Sequence, residues 1–213
     1  MLNSIFDLTP AHLLKEIIIY DDCSEDDVII TDLVLKYGKI TGWPMEKIIS
    51  KRSDERQGLI RAKVNAARLG SADVLIFMDS HCEVTPKWIE PLLVPIQEDR
   101  TKVVVPIVDL INPVNFEYSK AMVARSVFDW QLRFKWKYFD WSYFDTPENN
   151  VKLFRSPIMP GGLLAIDRKF YTEMGEYDSG MEIWGAENIE LSIRVSHFVT
   201  FFYCFFFPFA MTT

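Results

Sequence analysis

A chain of 213 residues with 49% hydrophobic and 25% charged residues has the material for one domain of ordinary size, and that balance excludes disorder. A net charge of −7 excludes a nucleic-acid phosphate backbone as the main partner, because such binding needs clustered Lys and Arg. It leaves room for a nucleotide, whose diphosphate a bound metal neutralises locally.

The elements are read in chain order. Glu16 to Tyr20 is an apolar run ending in Asp21-Asp22, the pattern of a strand buried on both faces. Asp26 to Lys36 reads as a helix stopped by Gly38, and Lys47 to Ser50 as a short strand. Arg56 to Leu69 reads as a helix with Gly70 past its end. Ala72 to Met78 is the strongest strand and runs into Asp79-Ser80-His81. Thr85-Pro86 has the form of an N-cap followed by Pro at the first helical position, with Pro91 and Pro95 predicting a restart or kink. Lys102 to Leu110 is a further strand, where Pro106 predicts a bulge or an edge. This strand–helix alternation predicts an α/β fold with a mostly parallel sheet flanked by helices, whose ligands bind beyond the carboxyl ends of strands.

Residues 113–157 are crowded with aromatics, among them Trp130, Trp136, Tyr138, Phe139, Trp141 and Tyr143. Two readings stand: a helix and loop packing aromatics on the sheet, or an aromatic wall beside a sugar or peptide site. Gly161-Gly162 opens a strand at Leu163 to Ile166, where paired glycines permit close approach of backbone to a ligand. Trp184-Gly185-Ala186-Glu187-Asn188 leads into a helix from Ile189 to Val195. From Ser196 the pattern breaks. Phe198 to Phe209 holds seven phenylalanines in twelve residues without helical or strand periodicity, which sets 196–213 apart as an aberrant Phe-rich tail from a domain at 1–195. Cys23, Cys82 and Cys204 form no disulfide framework. The opening residues lack the basic and apolar regions of a signal peptide, and no stretch reaches the ~20 apolar residues of a membrane span.

Three groups carry chemistry. Asp79 and His81 point the same way from an extended segment, and a carboxylate with an imidazole suits a divalent ion such as Mn2+. The alternative is an Asp capping the next helix beside a surface His. Asp21-Asp22 either receives a base or ribose or caps a turn. Arg56, Arg61 and Lys63 cannot share one helix face, so some aim at a diphosphate or all form a solvated basic face.

Together Leu14 to Asp22, Arg56 to Arg61, Phe77 to Glu83, Phe128-Asp129-Trp130, Gly161-Gly162-Leu163 and Trp184 to Glu190 resemble the catalytic domain of the polypeptide N-acetylgalactosaminyltransferases, over about Thr9 to Val195. The resemblance implies a GT-A nucleotide-sugar transferase fold. It implies retaining, Mn2+-dependent transfer of GalNAc from UDP-GalNAc to Ser or Thr of a polypeptide, starting mucin-type O-glycosylation in the Golgi lumen. By the same resemblance Asp79 and His81 ligate Mn2+, Asp22 touches the uridine, and Arg56 helps to bind the nucleotide. Gly162, Glu187 and Asn188 line the GalNAc pocket, and Trp184 sits by the diphosphate. No enzyme nucleophile is implied, because the acceptor hydroxyl attacks from the front face. Departures are Lys63 where the family has Arg, a first strand expected before Met1, and a third metal ligand expected downstream; His197 lies too close to the Trp184 motif to take that role. The competing readings are a catalytically inactive truncated isoform or fragment and a GT-A transferase for another UDP-sugar. A metal hydrolase is disfavoured, since only Glu83 stands near as a base.

Overall fold

The computed structural model describes residues 1–25, 29–150, 152–196 and 202–212, with backbone alone for Asn150 and for 202–212. Helix α1 (Leu2–Leu8) precedes strand β1 (Ile17–Asp21), whose isoleucine run favours extended backbone. Helix α2 spans Ile30–Thr41 and is closed by Gly42 in the left-handed region. Of the helix expected from Asp26, Asp26, Asp27 and Val28 lie outside the described residues. Gly38 does not stop α2; it is buried inside it, where a Cβ would stand 2.3 Å from Met45 Sδ.

Strand β2 (Ile48–Arg52) lies parallel to β1, with Ile17 opposite Ile48. Helix α3 (Leu59–Leu69) begins three residues later than Arg56, because Gly58 sits at φ 85° against Ile183 and the turn before it is not helical. Strands β3 (Val74–Met78) and β4 (Cys82–Glu83) follow. Thr85-Pro86 starts no helix: Lys87 takes φ 61°, and helix α4 (Glu90–Glu98) opens around Pro91, which needs no hydrogen-bond donor in a first turn. Pro95 lies inside α4.

Strand β5 (Val104–Ile111) leads to β6 (Tyr118–Ser119) and to a hairpin of β7 (Ala124–Phe128) and β8 (Phe134–Tyr138). The aromatic segment is therefore a hairpin with short 3-10 turns, where a helix and loop was one expectation. Its rings divide between both expected uses. Phe139 stacks on Tyr143 at 4.3 Å and meets Phe154 edge-on at 5.0 Å, whereas Trp130, Trp136, Tyr138 and Trp141 are exposed. Strand β9 (Phe154–Ser156), strand β10 (Leu163–Asp167), helix α5 (Arg168–Glu173), helix α6 (Glu187–Ser196) and strand β11 (Phe202–Thr212) complete the chain.

The main sheet has the order β3-β10-β5-β11-β4, with β6 on β5 and β9 on β11. It is mixed rather than mostly parallel: β10 runs antiparallel to β3 and to β5, and β11 runs parallel to β5 but antiparallel to β4 and β9. Strand–helix alternation ends after β5, and the long excursion through the hairpin brings the chain back from the opposite end. The Phe-rich run expected as a separate tail lies, from 202 to 212, inside this sheet with neighbours on both edges. A strand in such a position needs no alternation of apolar and polar residues. Register against β5 shifts between Phe205 and Pro208, opposite Pro106 and Ile107, where Pro106 had predicted an irregularity. His197 and 198–201 lie outside the described residues.

The sheet is covered on both faces. Leu75, Phe77, Val103, Val105, Leu164 and Ile166 pack with Ile60 and Val64 of α3, Tyr171 of α5 and Leu191 of α6. The alternate residues Val104, Leu163 and Ala165 pack with Ile5 of α1 and Trp88, Leu92 and Ile96. Period-2 alternation between two cores explains why these strands read as continuous apolar runs.

Cys82 lies in the second core, fully buried, and burial pushes its thiol up to about 12 from 9.0, helped by the Asp79 charge. A thiol that stays protonated in the fold but ionises in the unfolded chain lowers stability as pH rises above its unfolded value. Urea unfolding at pH 7.5, 9 and 10 should show a progressive loss above pH 9 that is absent in Cys82→Ala, after correction for the constant cost of the cavity.

Candidate active site

The carboxyl ends of β1 and β3 lie at one end of the fold, where Tyr20 and Asp79 line the same cavity. Asp79 follows β3 directly and is half-buried; Ser80 and His81 continue outward and are exposed. Opposite Asp79 runs the turn before β10. A Cβ on Gly162 would lie 2.4 Å from Asp79 Oδ2, and one on Gly161 would lie 3.0 Å from Glu187 Oε1. Each glycine therefore lies directly beside one carboxylate, and Gly162 admits no side chain without moving Asp79.

Lys63 of α3 ties this arrangement together. Its Nζ donates to Gly161 O at 2.7 Å and stands 3.8 Å from Glu187 Oε1, with both side chains largely buried. It also lies over the Tyr177 ring at 5.6 Å. Burial holds the Lys63 ammonium below its usual 10.5, against the opposing pull of Glu187 and Asp79. Asn188 donates from Nδ2 to Met159 O at 3.0 Å, and Ser192 Oγ accepts from Met159 N at 3.1 Å, so α6 grips the strand of chain leading to Gly161. The Tyr177 hydroxyl is buried without a hydrogen-bond partner among the described residues, and its pKa is raised well above 10 by burial.

Asp22 has a different setting. Its Oδ1 accepts from Gln57 N at 2.7 Å and its Oδ2 from Gly58 N at 2.8 Å, so it anchors the turn that enters α3. Neighbouring Asp21 is buried, held below the ordinary carboxylate range despite burial by Ser24 and by Arg52 at 3.0 Å. Of the basic residues near α3, Arg56 is exposed before the helix and Arg61 donates to Ser179 O at 2.9 Å, leaving Lys63 alone to reach inward.

Trp184 is 74% exposed at the rim. The turn around it holds Ile183 at φ 61°, Gly185 at φ 101° and Ala186 at φ 64°. Left-handed backbone is costly for a β-branched residue and concentrates where a segment serves a ligand. The turn is fastened to the start of α3 by Leu59 N donating to Ile183 O at 2.8 Å.

Two cavities share Leu59, Lys63, Asp79 and Trp184 as a common wall: one of about 840 Å³ between β1 and β3, and one of about 1060 Å³ between the sheet and the β7–β8 hairpin. Asp79, His81, Gly162, Trp184, Glu187 and Asn188 line one or both; Asp22 and Arg56 line neither. Sequence reading passed over Gly161 as a partner of Glu187, the tether made by Lys63, and Tyr177 beneath it. Only Lys63 carried a signal, as a basic residue in an otherwise apolar helix face.

Among the described residues no group of three or more His, Cys, Asp and Glu side chains is arranged to hold a metal. Asp79 and His81 supply a carboxylate and an imidazole beside open volume, and this fits an ion that takes its remaining ligands from a diphosphate and water. Asp79 and Glu187 both pull on the buried Lys63 ammonium, and Asp79 presents its carboxylate to both cavities.

The sequence profile of glycosyl transferase family 2 matches residues 1–175. A probable N-acetylgalactosaminyltransferase 8 from Caenorhabditis elegans is 59% identical over 194 residues, covering 91% of this chain and 46% of the relative. An inactive polypeptide N-acetylgalactosaminyltransferase-like protein 5 from Mus musculus is 44% identical over 193 residues, covering 91% of this chain and 44% of the relative. A crystal structure of GalNAc-T7 with UDP, GalNAc and Mn2+ aligns with a TM-score of 0.89 at 31% identity, covering 100% of this chain and 40% of that one. The chain thus spans less than half the length of each of these relatives.

Proposed function

Because the chain belongs to glycosyl transferase family 2, we propose that it forms the donor-binding part of a transferase moving GalNAc from UDP-GalNAc to Ser or Thr of a polypeptide, with retention. The observation that carries this reading is the Gly161-Gly162 turn seated between two carboxylates, Glu187 and Asp79, at the carboxyl end of β3. Backbone approaches a ligand closely there, and ligands of such sheets bind at that end. The relative with 59% identity and the alignment with GalNAc-T7, crystallised with UDP, GalNAc and Mn2+, support the choice of donor.

In this proposal Asp79 and His81 hold Mn2+, which supplies Lewis-acid stabilisation of the departing diphosphate. Gly162, Glu187 and Asn188 line the sugar pocket, with Lys63 keeping Glu187 and the glycine turn in place. Trp184 covers the diphosphate from the rim. Asp22 already accepts two amides, so it reaches uridine through its remaining lone pairs while fixing the turn that carries Arg56 toward the nucleotide. The exposed rings of Trp136 and Tyr138 face the larger cavity as a wall for the acceptor. We place the reaction in the Golgi lumen, following the resemblance; among the described residues no helix is long and apolar enough to cross a membrane.

Calorimetric titration with UDP, with and without Mn2+, tests the donor site. Binding that requires Mn2+ is expected; a folded chain that binds no UDP overturns the proposal. A second reading, donor binding without transfer, is favoured by the similarity to a relative named inactive. Transfer of GalNAc to a Ser/Thr peptide, followed by mass spectrometry, separates the two.

A further inference from the structure

Tyr177 lies in the segment between α5 and α6, 2% exposed, and its buried hydroxyl has no hydrogen-bond partner among the described residues. Buried hydroxyls nearly always find a partner, and one left without it lowers stability. A phenylalanine in the same place would keep the ring and avoid that cost. The neighbouring core tyrosine shows the ordinary use of such a group: Tyr171 Oη accepts from Tyr177 N at 3.2 Å.

The ring is held in place. Phe77 meets it edge-on at 5.7 Å and Tyr171 at 6.0 Å, and the residue before it is fixed by Arg194 of α6, which donates to Glu176 O at 2.6 Å. Around the ring and its hydroxyl is charge. Lys63 Nζ stands 5.6 Å from the ring centre, and the carboxylates of Glu187 and Asp79 both act on the hydroxyl. Glu187 has the complementary deficit. Its carboxylate accepts no hydrogen bond among the described residues: Lys63 is 3.8 Å away, too far for one, and donates to Gly161 O instead. Glu187 nevertheless lines the larger cavity. A donor lacking an acceptor and an acceptor lacking a donor thus meet around one ammonium, at the wall of the proposed sugar pocket.

We propose that Tyr177 is a positioning residue for Glu187, donating to its carboxylate when a sugar engages it and so setting how strongly the site prefers a sugar nucleotide to the bare nucleotide. This rests on the reading of Glu187 as part of the sugar pocket and goes beyond it by naming the group that orients Glu187. The last torsion of a Glu side chain is soft, so rotation brings one oxygen to Tyr177 and turns the other to the sugar. Lys63 steadies the carboxylate from the side of the glycine turn, and Tyr177 steadies it from the core. A hydroxyl that destabilises the free fold and gains its partner on binding is a donor organised in advance for the ligand.

Calorimetric titration of the whole chain in Mn2+ compares UDP-GalNAc with UDP for wild type, Tyr177→Phe, Glu187→Met and the double variant, each with its thermal melt. Tyr177→Phe is expected to bind UDP as wild type does and UDP-GalNAc about tenfold more weakly, the size of one hydrogen bond to a charged group. Its melting temperature is expected to equal or exceed that of wild type, because the unpartnered hydroxyl is gone. In the Glu187→Met background the same change should alter neither affinity further. A tyrosine with a packing role alone gives the opposite pattern, a lower melting temperature and an unchanged ratio of the two affinities. The proposal is overturned by that unchanged ratio, by a melting temperature below wild type, by losses that add in the double variant, or by a wild type that binds both nucleotides equally. A folded wild-type chain that binds neither nucleotide overturns the donor-site reading, and this inference with it.

Discussion

Gly162→Ala should weaken Mn2+-dependent UDP binding about a hundredfold while leaving the far-ultraviolet circular dichroism unchanged. The added Cβ would lie 2.4 Å from Asp79 Oδ2 and 3.2 Å from Asp79 Cγ. Neither partner can yield freely. Gly162 adjoins β10, whose Leu163 pairs with Met78, and Asp79 follows Met78 directly on β3. The clash is relieved by displacing the carboxylate or the turn by roughly 1 Å, and a displacement of that size in a binding constellation costs on the order of 100-fold. Asp79→Ala sets the limit for complete loss of the carboxylate, and Gly162→Ala should approach it. Gly161→Ala should cost less, since its Cβ meets Glu187 Oε1 at 3.0 Å, a side-chain tip rather than a group fixed to a strand end. Calorimetry at fixed Mn2+ decides: wild-type affinity in Gly162→Ala would show that the Asp79 carboxylate is not part of the donor site.

Lys63→Met is expected to have the largest effect on stability. The variant keeps the length and apolar stem of the side chain but removes the donor that Gly161 O receives at 2.7 Å and the cation 3.8 Å from Glu187 Oε1. Glu187 is only 4% exposed, so its charge would be left buried without a cation. Breaking a buried pair by removing one member costs about 3 kcal/mol, and for a chain of this size that lowers the melting temperature by about 10 °C. The double variant Lys63→Met, Glu187→Gln removes the orphaned charge and should regain part of the loss. Lys63→Arg keeps the charge but brings a planar, bulkier head group, and should lie between wild type and Met. Equal melting temperatures for wild type and Lys63→Met would mean that the ammonium contributes nothing to holding the glycine turn.

The depth of these two effects follows from how the site is assembled. Asp79 comes from β3, the glycine pair from the turn before β10, Glu187 from the start of α6 and Lys63 from α3. No single element holds two of the groups that must meet. The site is precise because the antiparallel pairing of β10 with β3 sets Leu163 opposite Met78, one residue from both Gly162 and Asp79.

Much was legible in the sequence. The isoleucine run of β1, the amphipathic stretch of α3 and the Val74 to Met78 strand announce themselves through patterns a few residues long, and the structure has all three. The Asp79-Ser80-His81 group at a strand end and the glycine pair opening β10 were equally plain, because their chemistry depends on residue type and local backbone. What the tertiary structure alone decided was partnership. Asp22 anchors amides 35 and 36 residues away, and Lys63 reaches a carbonyl 98 residues away. The reversal of β10 and the place of 202–212 between β5 and β4 are likewise choices of neighbour. Periodicity records which face of an element is apolar, not which distant element covers it. Hydrogen-bonding partners across long sequence separations are set by the packing of the whole chain.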